Sequence, residues 1–527
     1  LTGRETDLDD PKVTKKTDPA VGIDLGTTFS VIARLDENGQ PTTLVNAEGE
    51  RVTPSVVLFD GDDVVVGREA LKAIATEAEH VAECSKREVG HRVFHKAFDG
   101  KQYPPEVIEA WILNKLRSDA AAQIGPFERV VITVPAYFDE VRRKATQDAG
   151  YMAGFQVLDI INEPTAAAVA FGYLKGYLNL EGQEQPPSRI LVYDLGGGTF
   201  DVTVMEIRGS QYAALATDGD VQLGGYDWDQ RLVDLVAEGF IRLHQVDPRE
   251  DPTTAGRLWR ECEDAKRTLS ARSKASAACD YRGRSARVEI TREQFEEATQ
   301  DLLDRTRFTT VQTLRAAGLE WNDIDRVLMV GGSTRMPMVR DMLRQLSSKE
   351  PDTSVAADEA VAQGAALHAG LILGESQGKA PSFEIKNVNS HSLGVVGVDP
   401  LTKRKRNGIL VPRNTPLPVT AKRTFKTQKA NQKSILVQIV EGESANPDDC
   451  CQIGRCTVPS LPPGLPERSP IDVIFRYKPN GRLKVRVTVP NTNSKVDAVF
   501  TRENSLPKEH LDGWRLYISG AEATAYQ

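Results

Sequence analysis

Residues 191–207 read Leu-Val-Tyr-Asp-Leu-Gly-Gly-Gly-Thr-Phe-Asp-Val-Thr-Val-Met-Glu-Ile. An apolar run ends at Asp194, breaks into three glycines, and resumes as alternating apolar and polar residues. This pattern predicts a β-hairpin with the glycines at its turn and Asp194 closing the first strand. Glycine there lets backbone N–H groups approach a phosphate with no Cβ in the way. Taken alone, the turn reads equally as an ordinary tight hairpin. Residues 21–35, Val-Gly-Ile-Asp-Leu-Gly-Thr-Thr-Phe-Ser-Val-Ile-Ala-Arg-Leu, repeat the Asp-Leu-Gly…Thr-Phe design, with Asp24 and Asp194 lying 170 positions apart. The second copy turns one hairpin into half of a two-sided clamp.

Outward from each hairpin the same order of elements follows. After the first come short strands in 46–67, helices at 68–83 and 104–123, the buried strand Val130-Val-Ile-Thr-Val ending at Pro135, and a helix from Asp139. A strand at Val157–Ile161 then leads through Asn162-Glu-Pro, read as a cap, into the Ala-rich helix Thr165–Phe171. A Gln/Pro-rich break at 181–188 precedes the restart. The second half places helices at 227–244, 251–270, 292–317 and 358–373, a strand pair at 275–291, and the strand Arg326-Val-Leu-Met-Val before Gly331-Gly332-Ser333-Thr334-Arg335. Two similar α/β halves face one another most simply across a nucleotide cleft. No Gly-x-x-x-x-Gly-Lys-[Ser/Thr] P-loop occurs. Residues 390–502 are poor in Ala, rich in Val, Thr and Pro, and alternate repeatedly, as in an all-β sandwich. The expected organisation is a disordered tail at 1–19, an α/β domain at 20–376 with lobes of about 20–182 and 183–376, a linker at 377–389, the sandwich, and a short C-terminal segment at 503–527.

The net charge of −8 argues against a general nucleic-acid binder. Six irregularly spaced cysteines without a Cys-x-x-Cys pair predict neither a disulfide framework nor a structural zinc. The chain has no apolar run long enough for a membrane span and no signal-type start, so a cytoplasmic setting is expected. Lys403-Arg-Lys-Arg, with further basic residues on to Lys433, reads as a solvated loop, with an acidic-partner or nucleic-acid site as the alternative.

Two strand-end carboxylates, Asp24 and Asp194, suit a hydrated Mg²⁺, which prefers few carboxylates and several waters. Thr27 and Thr28 offer hydroxyls and Gly196–Thr199 offer N–H groups. Asp201 and Glu163 are candidates to position a water, and Lys86 to balance charge on a transferred phosphoryl group. Each also reads singly as a solvated residue. Glu263, Lys266, Arg267 and Ser270 sit at i, i+3, i+4 and i+7, so one helical face can present all four, as it also would in a solvent-facing stripe.

The motifs Gly22-Ile-Asp-Leu-Gly-Thr-Thr-Phe-Ser, Val134-Pro-Ala-Tyr-Phe, Asn162-Glu-Pro-Thr-Ala-Ala-Ala, Asp194-Leu-Gly-Gly-Gly-Thr-Phe-Asp, Glu263-Asp-Ala-Lys-Arg-Thr-Leu-Ser and Val330-Gly-Gly-Ser-Thr-Arg-Met-Pro occur in this order. Together they make the chain resemble the heat-shock 70 kDa (DnaK-type) chaperones, within the actin and sugar-kinase superfamily, from about Val21 to about Asn504. The resemblance implies an actin-like ATPase domain of duplicated ribonuclease H-like design, followed by a β-sandwich that binds exposed apolar segments of unfolded polypeptides. It implies ATP or ADP with Mg²⁺, and K⁺ as a companion ion, with weak ATP hydrolysis. Asp24, Asp194 and Asp201 would organise Mg²⁺ and water, with Lys86 and Glu163 bordering the attacking water. Nucleotide contacts would come from Gly26, Thr27, Thr28, Phe29, Gly196, Gly197, Gly198, Thr199 and Gly225. Gly331, Gly332, Ser333, Arg335 and Asp358 would join Glu263, Lys266, Arg267 and Ser270 around ribose and adenine. Pro135 and Arg143 match an interdomain relay, and Val395, Val398, Phe425, Gln428, Ile435 and Val437 match a peptide groove. A J-domain co-chaperone and a nucleotide exchange factor are the implied partners, with no nucleic acid and no membrane.

The departures concern coupling. Ser382-Phe-Glu-Ile-Lys-Asn stands where the family has a leucine-rich linker, which predicts weaker docking of the linker. Asp159 stands where an arginine is usual, predicting a reversed charge toward a J-domain. Tyr226 interrupts a Gly-Gly-Glu-Asp motif, Gln363 replaces an aromatic, and Val398 and Gln428 alter the arch over the groove. The short segment after Arg502 leaves little room for a helical lid, so peptide is expected to exchange quickly. The remaining alternatives are a peptide-binding module whose domains do not communicate, and a small-molecule kinase.

Overall fold

The computed structural model describes residues 19–177, 186–399, 401–458, 461, 463–478, 483–490, 495–497 and 506–521. The expected tail, apart from its last residue, and the expected boundary between the lobes fall outside these residues. In the first lobe, strand Val21–Asp24 pairs antiparallel with Phe29–Leu35 and parallel with Arg129–Val134, which in turn pairs with Gln156–Asn162. The second lobe repeats this arrangement. Strand Ser188–Leu195 pairs antiparallel with Phe200–Arg208 and parallel with Arg326–Val330, and Gln211–Asp220 continues the sheet beyond Phe200–Arg208. Ile190, Leu191, Val192 and Tyr193 are all fully buried, which explains why this strand is continuously apolar rather than alternating.

Two Ala-rich helices, Glu163–Leu174 and Ala360–Ser376, pack between the sheets. A Cβ on Gly364 would lie 1.8 Å from the Ala166 carbonyl oxygen, and one on Gly22 would lie 2.1 Å from the Ala366 nitrogen. Small residues at these positions let helix, helix and strand approach until backbone meets backbone.

Several boundaries differ from the sequence reading. The helix expected over 68–83 is Arg68–Glu77, followed by a 3₁₀ turn and the strand Val81–Glu83, which pairs with Val56–Leu58. A distant strand edge overrides the local helical pattern there. The helix expected over 292–317 is two helices, Arg292–Ala298 and Gln300–Ala316, broken at Thr299. Asn162 does not cap the helix that follows it; its side chain accepts from Arg143 at 2.7 Å.

The β-domain is a sandwich of two four-stranded antiparallel sheets, closed around Leu393, Ile439, Ile453, Val473 and Phe475. The linker between the domains corrects the sequence reading. Glu384–Lys386 is a strand that adds in parallel to Gln211–Ala213 at the edge of the second lobe's sheet. Phe383 is buried in the core between the two lobes, with its ring 6.0 Å from that of Tyr212. Backbone pairing and one aromatic anchor therefore do what the apolar content of 382–387 alone did not promise. Helix Lys508–Ile518 packs Leu511, Trp514 and Ile518 into the first lobe's core beside Trp111. Among the described residues no helix is long and apolar enough to cross a membrane.

Candidate active site and its link to the β-domain

The two glycine hairpins press directly against each other. A Cβ on Gly197 would lie 2.3 Å from Thr28 Oγ1, and one on Gly198 would lie 2.4 Å from Thr27 Cγ2. The glycines thus serve the fit between the lobes as well as any bound anion. The Thr199 carbonyl accepts from Gly196 N–H, while the carbonyls of Gly196 and Gly197 accept from Gly225 and Tyr226. This leaves the N–H groups of Gly197 and Gly198 with no protein acceptor among the described residues. Free N–H groups on a glycine turn form an anion cradle. Gly197→Ala is expected to wedge the hairpins apart and weaken nucleotide binding about tenfold. Calorimetric titration with ADP checks this.

At the strand ends the carboxylates gather. Asp194 is the direct cross-strand partner of Asp201, and Asp24 accepts a hydrogen bond from Thr133 at 3.1 Å. Lys86 sits on a 3₁₀ turn, Ser85–Glu88, and its ammonium donates to Glu163 at 2.6 Å, both groups being buried. Glu109, absent from the sequence reading, accepts from Ser85 at 2.6 Å and steadies that turn. Burial, then the neighbouring Glu163 carboxylate, pushes Asp24 up to about 7 and Asp201 up to about 8, and raises Asp194 well above the usual carboxylate range. Burial works against the Lys86 ammonium, but the carboxylates of Glu163 and Asp24 more than offset it and keep its pKa above the ordinary lysine value. Three buried carboxylates and the half-buried Asp24 share one buried lysine, so the cleft is short of positive charge. A divalent cation fits that deficit. Among the described residues no three acidic, His or Cys side chains are grouped to ligate a metal directly, so these carboxylates suit an ion that keeps its waters.

The predicted ribose and adenine face is partly built. Lys266 donates to the Gly225 carbonyl at 2.9 Å and to Asp229 at 2.6 Å, and Asp229 is a partner that the helical spacing did not reveal. Glu263 pairs with Arg260 and with Arg267, whose guanidinium lies over the Phe29 ring of the other lobe at 5.8 Å. Ser270 bonds only back to the Lys266 carbonyl in its own helix. Ser333 donates to the Gly196 carbonyl at 2.8 Å, and Arg335 pairs with Asp358 beside Gly332. A Cβ on Gly331 would lie 2.7 Å from the Asp194 carboxylate, so Gly331 lets the third loop close on the hairpin. Gly26 is equally tight: a Cβ there would meet the Phe29 carbonyl oxygen at 2.1 Å. Tyr226 stacks near Trp259 at 4.2 Å beneath Arg87, which reaches Asp227 across the cleft at 3.2 Å.

From Asp201 a short path leads out of the cleft. Its carboxylate accepts from Tyr137 N–H at 2.9 Å, and the Tyr137 carbonyl accepts from His391 Nε2–H of the β-domain at 2.9 Å. Arg143 braces this loop by donating to the carbonyls of Ala136 and Phe138, and the Pro135 carbonyl accepts from Phe138 N–H. Pro135 thus lies on the loop and Arg143 braces it from the helix Glu140–Met152, while the bridging group is a backbone unit that no side-chain motif displays. Nearby, Glu140 N–H donates to Glu441 of the β-domain at 2.9 Å, and Arg413 pairs with Asp218 at 3.0 Å. Asp159 is half-buried and bonded to His368 at 3.0 Å, so much of its reversed charge is directed inward rather than toward a partner.

Of the predicted groove residues, Val395 and Val437 belong to the sandwich core, and Phe425 and Ile435 lie at its edge. Val398 and Gln428 are exposed. The pairing between Leu393–Val398 and Ile435–Glu441 ends at Val395↔Ile439, although both strands continue past it. Two strand edges therefore diverge and leave backbone groups unpaired along a gap flanked by apolar side chains.

Burial, then the Asp139 carboxylate, raises Glu441 well above its ordinary value of 4.5; Glu140 adds to this, and Arg143 and the Glu140 N–H oppose it. Burial lowers His391 below its ordinary 6.5. Cys451 and Tyr477 complete the set of titratable groups around Glu441. A carboxyl raised on docking favours the docked state while it holds its proton, and that contribution is lost as pH rises through the raised value. His391 acts in the opposite sense around pH 6.5, where a free imidazole is half-protonated, so the Glu441 slope is read as the difference between the parent and Glu441→Gln. The Glu441 contribution to docking is expected to weaken with rising pH, by at most about tenfold per unit, and Glu441→Gln to remove it. Interdomain energy transfer between dyes, followed from pH 5 upward in the parent and in Glu441→Gln, checks this.

The profile of the family described as Hsp70 protein matches residues 20–517. The chain is 38% identical over 528 residues to the chaperone protein DnaK of Deinococcus proteolyticus, covering 94% of this chain and 80% of that one. It is 38% identical over 502 residues to that of Metamycoplasma hominis, covering 93% and 81%. It is 36% identical over 514 residues to that of Thermosipho melanesiensis, covering 95% and 83%. A duplicated cleft lined by carboxylates and a glycine clamp, joined to a split-edged β-sandwich, accords with these matches: the chain belongs to the Hsp70 family of ATP-dependent chaperones.

Proposed function

We propose that this chain hydrolyses ATP slowly and uses the hydrolysis to set how tightly an extended apolar peptide is held in the β-domain. The observation that carries the reading is the path Asp201–Tyr137–His391, which joins the acidic cleft to the β-domain through two hydrogen bonds. Mg²⁺, with K⁺ as a companion ion, would supply charge that offsets the phosphate oxygens beside Asp24 and Asp194. The protein's own groups do the rest. Gly197 and Gly198 N–H groups, with Thr27 and Thr28, hold the phosphates; Lys86 stabilises charge on the transferred group; Glu163 and Asp201 orient the attacking water. When the cleft relaxes after hydrolysis, Asp201 no longer holds the Tyr137 loop in register, and the β-domain is released from the ATPase domain.

In the β-domain the diverging strand edges accept an extended peptide by β-addition, and Val398, Phe425 and Ile435 contact its apolar side chain. A J-domain protein and an exchange factor are the proposed partners, in a cytoplasmic setting. The test is dissociation of a fluorescent apolar peptide from the full chain, first with ADP and then with ATP. Faster release with ATP is expected. Identical release rates would favour the second reading, a peptide-binding module with a silent nucleotide.

A further inference from the structure

The gap between the diverging strands is bordered by cations. Residues 399–436 contain ten Lys and Arg and a single acidic residue, Asp399, in a chain whose net charge is −8. Asp399 is already engaged: it accepts from the N–H groups of Leu401 and Thr402 at 2.9 and 2.8 Å and lies 3.8 Å from Arg406. Lys403, Arg404, Lys405, Lys426, Lys429 and Lys433 are all exposed, and none has a carboxylate partner among the described residues. The nearest free carboxylate in sequence on the facing loop is Glu467, next to Arg468, whose N–H donates to the Thr427 carbonyl. These cations accompany the most exposed large apolar side chains among the described residues of the domain. Lys405 is the cross-strand neighbour of Val398, which is 46% exposed, and Leu401 at the hairpin tip is 91% exposed. On the other side of the gap Leu436 is 54% exposed. A stripe of apolar side chains is thus set between two unpaired basic loops.

Resting on the peptide-binding reading above, we propose that the β-domain selects extended segments whose apolar centre is flanked by aspartate and glutamate. The apolar residues and the open strand edges bind the centre of the segment. The cations on the 403–406 turn and the 426–433 loop attract the acidic flanks and disfavour basic ones by like-charge repulsion. Rim charges act mainly on the rate of encounter and are screened by salt. A polyanion with no apolar centre would meet the loops but leave Val398, Leu401 and Leu436 uncovered, so a peptide suits the surface better than a nucleic acid.

The test uses the full chain and three fluorescent peptides that share one aliphatic core, with flanks of Asp/Glu, Ser/Gly or Lys, in fluorescence anisotropy titrations with ADP. The acidic-flanked peptide is expected to bind about tenfold tighter than the lysine-flanked one at low salt, with the difference shrinking severalfold at about 0.5 M salt. The triple reversal Lys403→Glu, Lys405→Glu, Arg406→Glu should invert the order, while the Ser/Gly-flanked peptide reports that the groove is intact. Equal affinity of all three peptides, or preference for lysine flanks, overturns the proposal and leaves peptide binding itself standing. No binding of any of the three overturns both. Tighter binding of a poly-dT oligonucleotide than of the acidic peptide overturns it in favour of a nucleic-acid surface.

Discussion

Lys86→Ala is expected to slow single-turnover hydrolysis of ATP by about 10²–10³-fold, the usual cost of removing one charge stabiliser from a water-poor site. Among the described residues Lys86 is the one buried cation beside Asp24, Glu163, Asp194 and Asp201, and its 2.6 Å contact with Glu163 fixes where its charge sits. Removing it also strands Glu163 as a buried charge, at about 3–5 kcal/mol of stability, so lost activity alone is ambiguous. Asp194→Asn resolves that ambiguity. It keeps the side-chain size at the strand end, and it relieves rather than deepens the negative charge of the cleft, so the fold should persist while hydrolysis fails. Both variants should still be titrated with ADP to show a formed cleft. Hydrolysis within twofold of the parent in Asp194→Asn would overturn the assignment of the paired strand ends as the site of chemistry.

The part of this site that was legible in the sequence is the part made of side chains on regular elements. The Asp-Leu-Gly repeat placed two hairpins, and the pairing Asp194↔Asp201 follows from a three-glycine turn in a two-residue-period ladder. Lys86 and Glu163 were legible as single candidates, but their pairing was not, because 77 positions separate them and no periodicity links them. What escaped was backbone and context. The bond from Tyr137 N–H to Asp201 leaves no mark on side-chain composition, and Glu109 and Asp229 look like ordinary helix surface until Ser85 and Lys266 are folded against them. Asn162 carries a helix-cap signature that Arg143 intercepts. Val395 and Val437 alternate as groove residues would, yet burial places them in the core, since alternation cannot say which face of a sandwich strand is covered.

The linker was underestimated for the same reason, and the second large effect is expected there. Phe383→Asp should abolish the acceleration of peptide release by ATP while leaving basal hydrolysis within about twofold of the parent. Strand Glu384–Lys386 contributes only three residue pairs to the edge of the second lobe's sheet, too few to hold by backbone bonding alone, since each such bond nets about 1 kcal/mol. Phe383 supplies the anchor: its ring is buried against Tyr212, and truncating such a ring costs about 3–5 kcal/mol. A carboxylate there adds the penalty of an unpaired buried charge, so docking should shift by two orders of magnitude or more. The contacts from His391 to Tyr137, from Glu441 to Glu140, from Arg413 to Asp218 and from Asn414 to Thr217 would then have to hold the domains without the linker strand. The edge strand pairs with Gln211–Ala213, at the opposite end of its neighbour from Gly219, the cross-strand partner of Asp201, which is why hydrolysis should survive. Peptide release measured with ADP and with ATP in Phe383→Asp decides the matter. Retained acceleration would mean that the linker strand is a passive tether and that the Tyr137 loop alone carries the signal, whereas loss of acceleration with hydrolysis intact places the coupling in the three-residue strand and its single aromatic anchor.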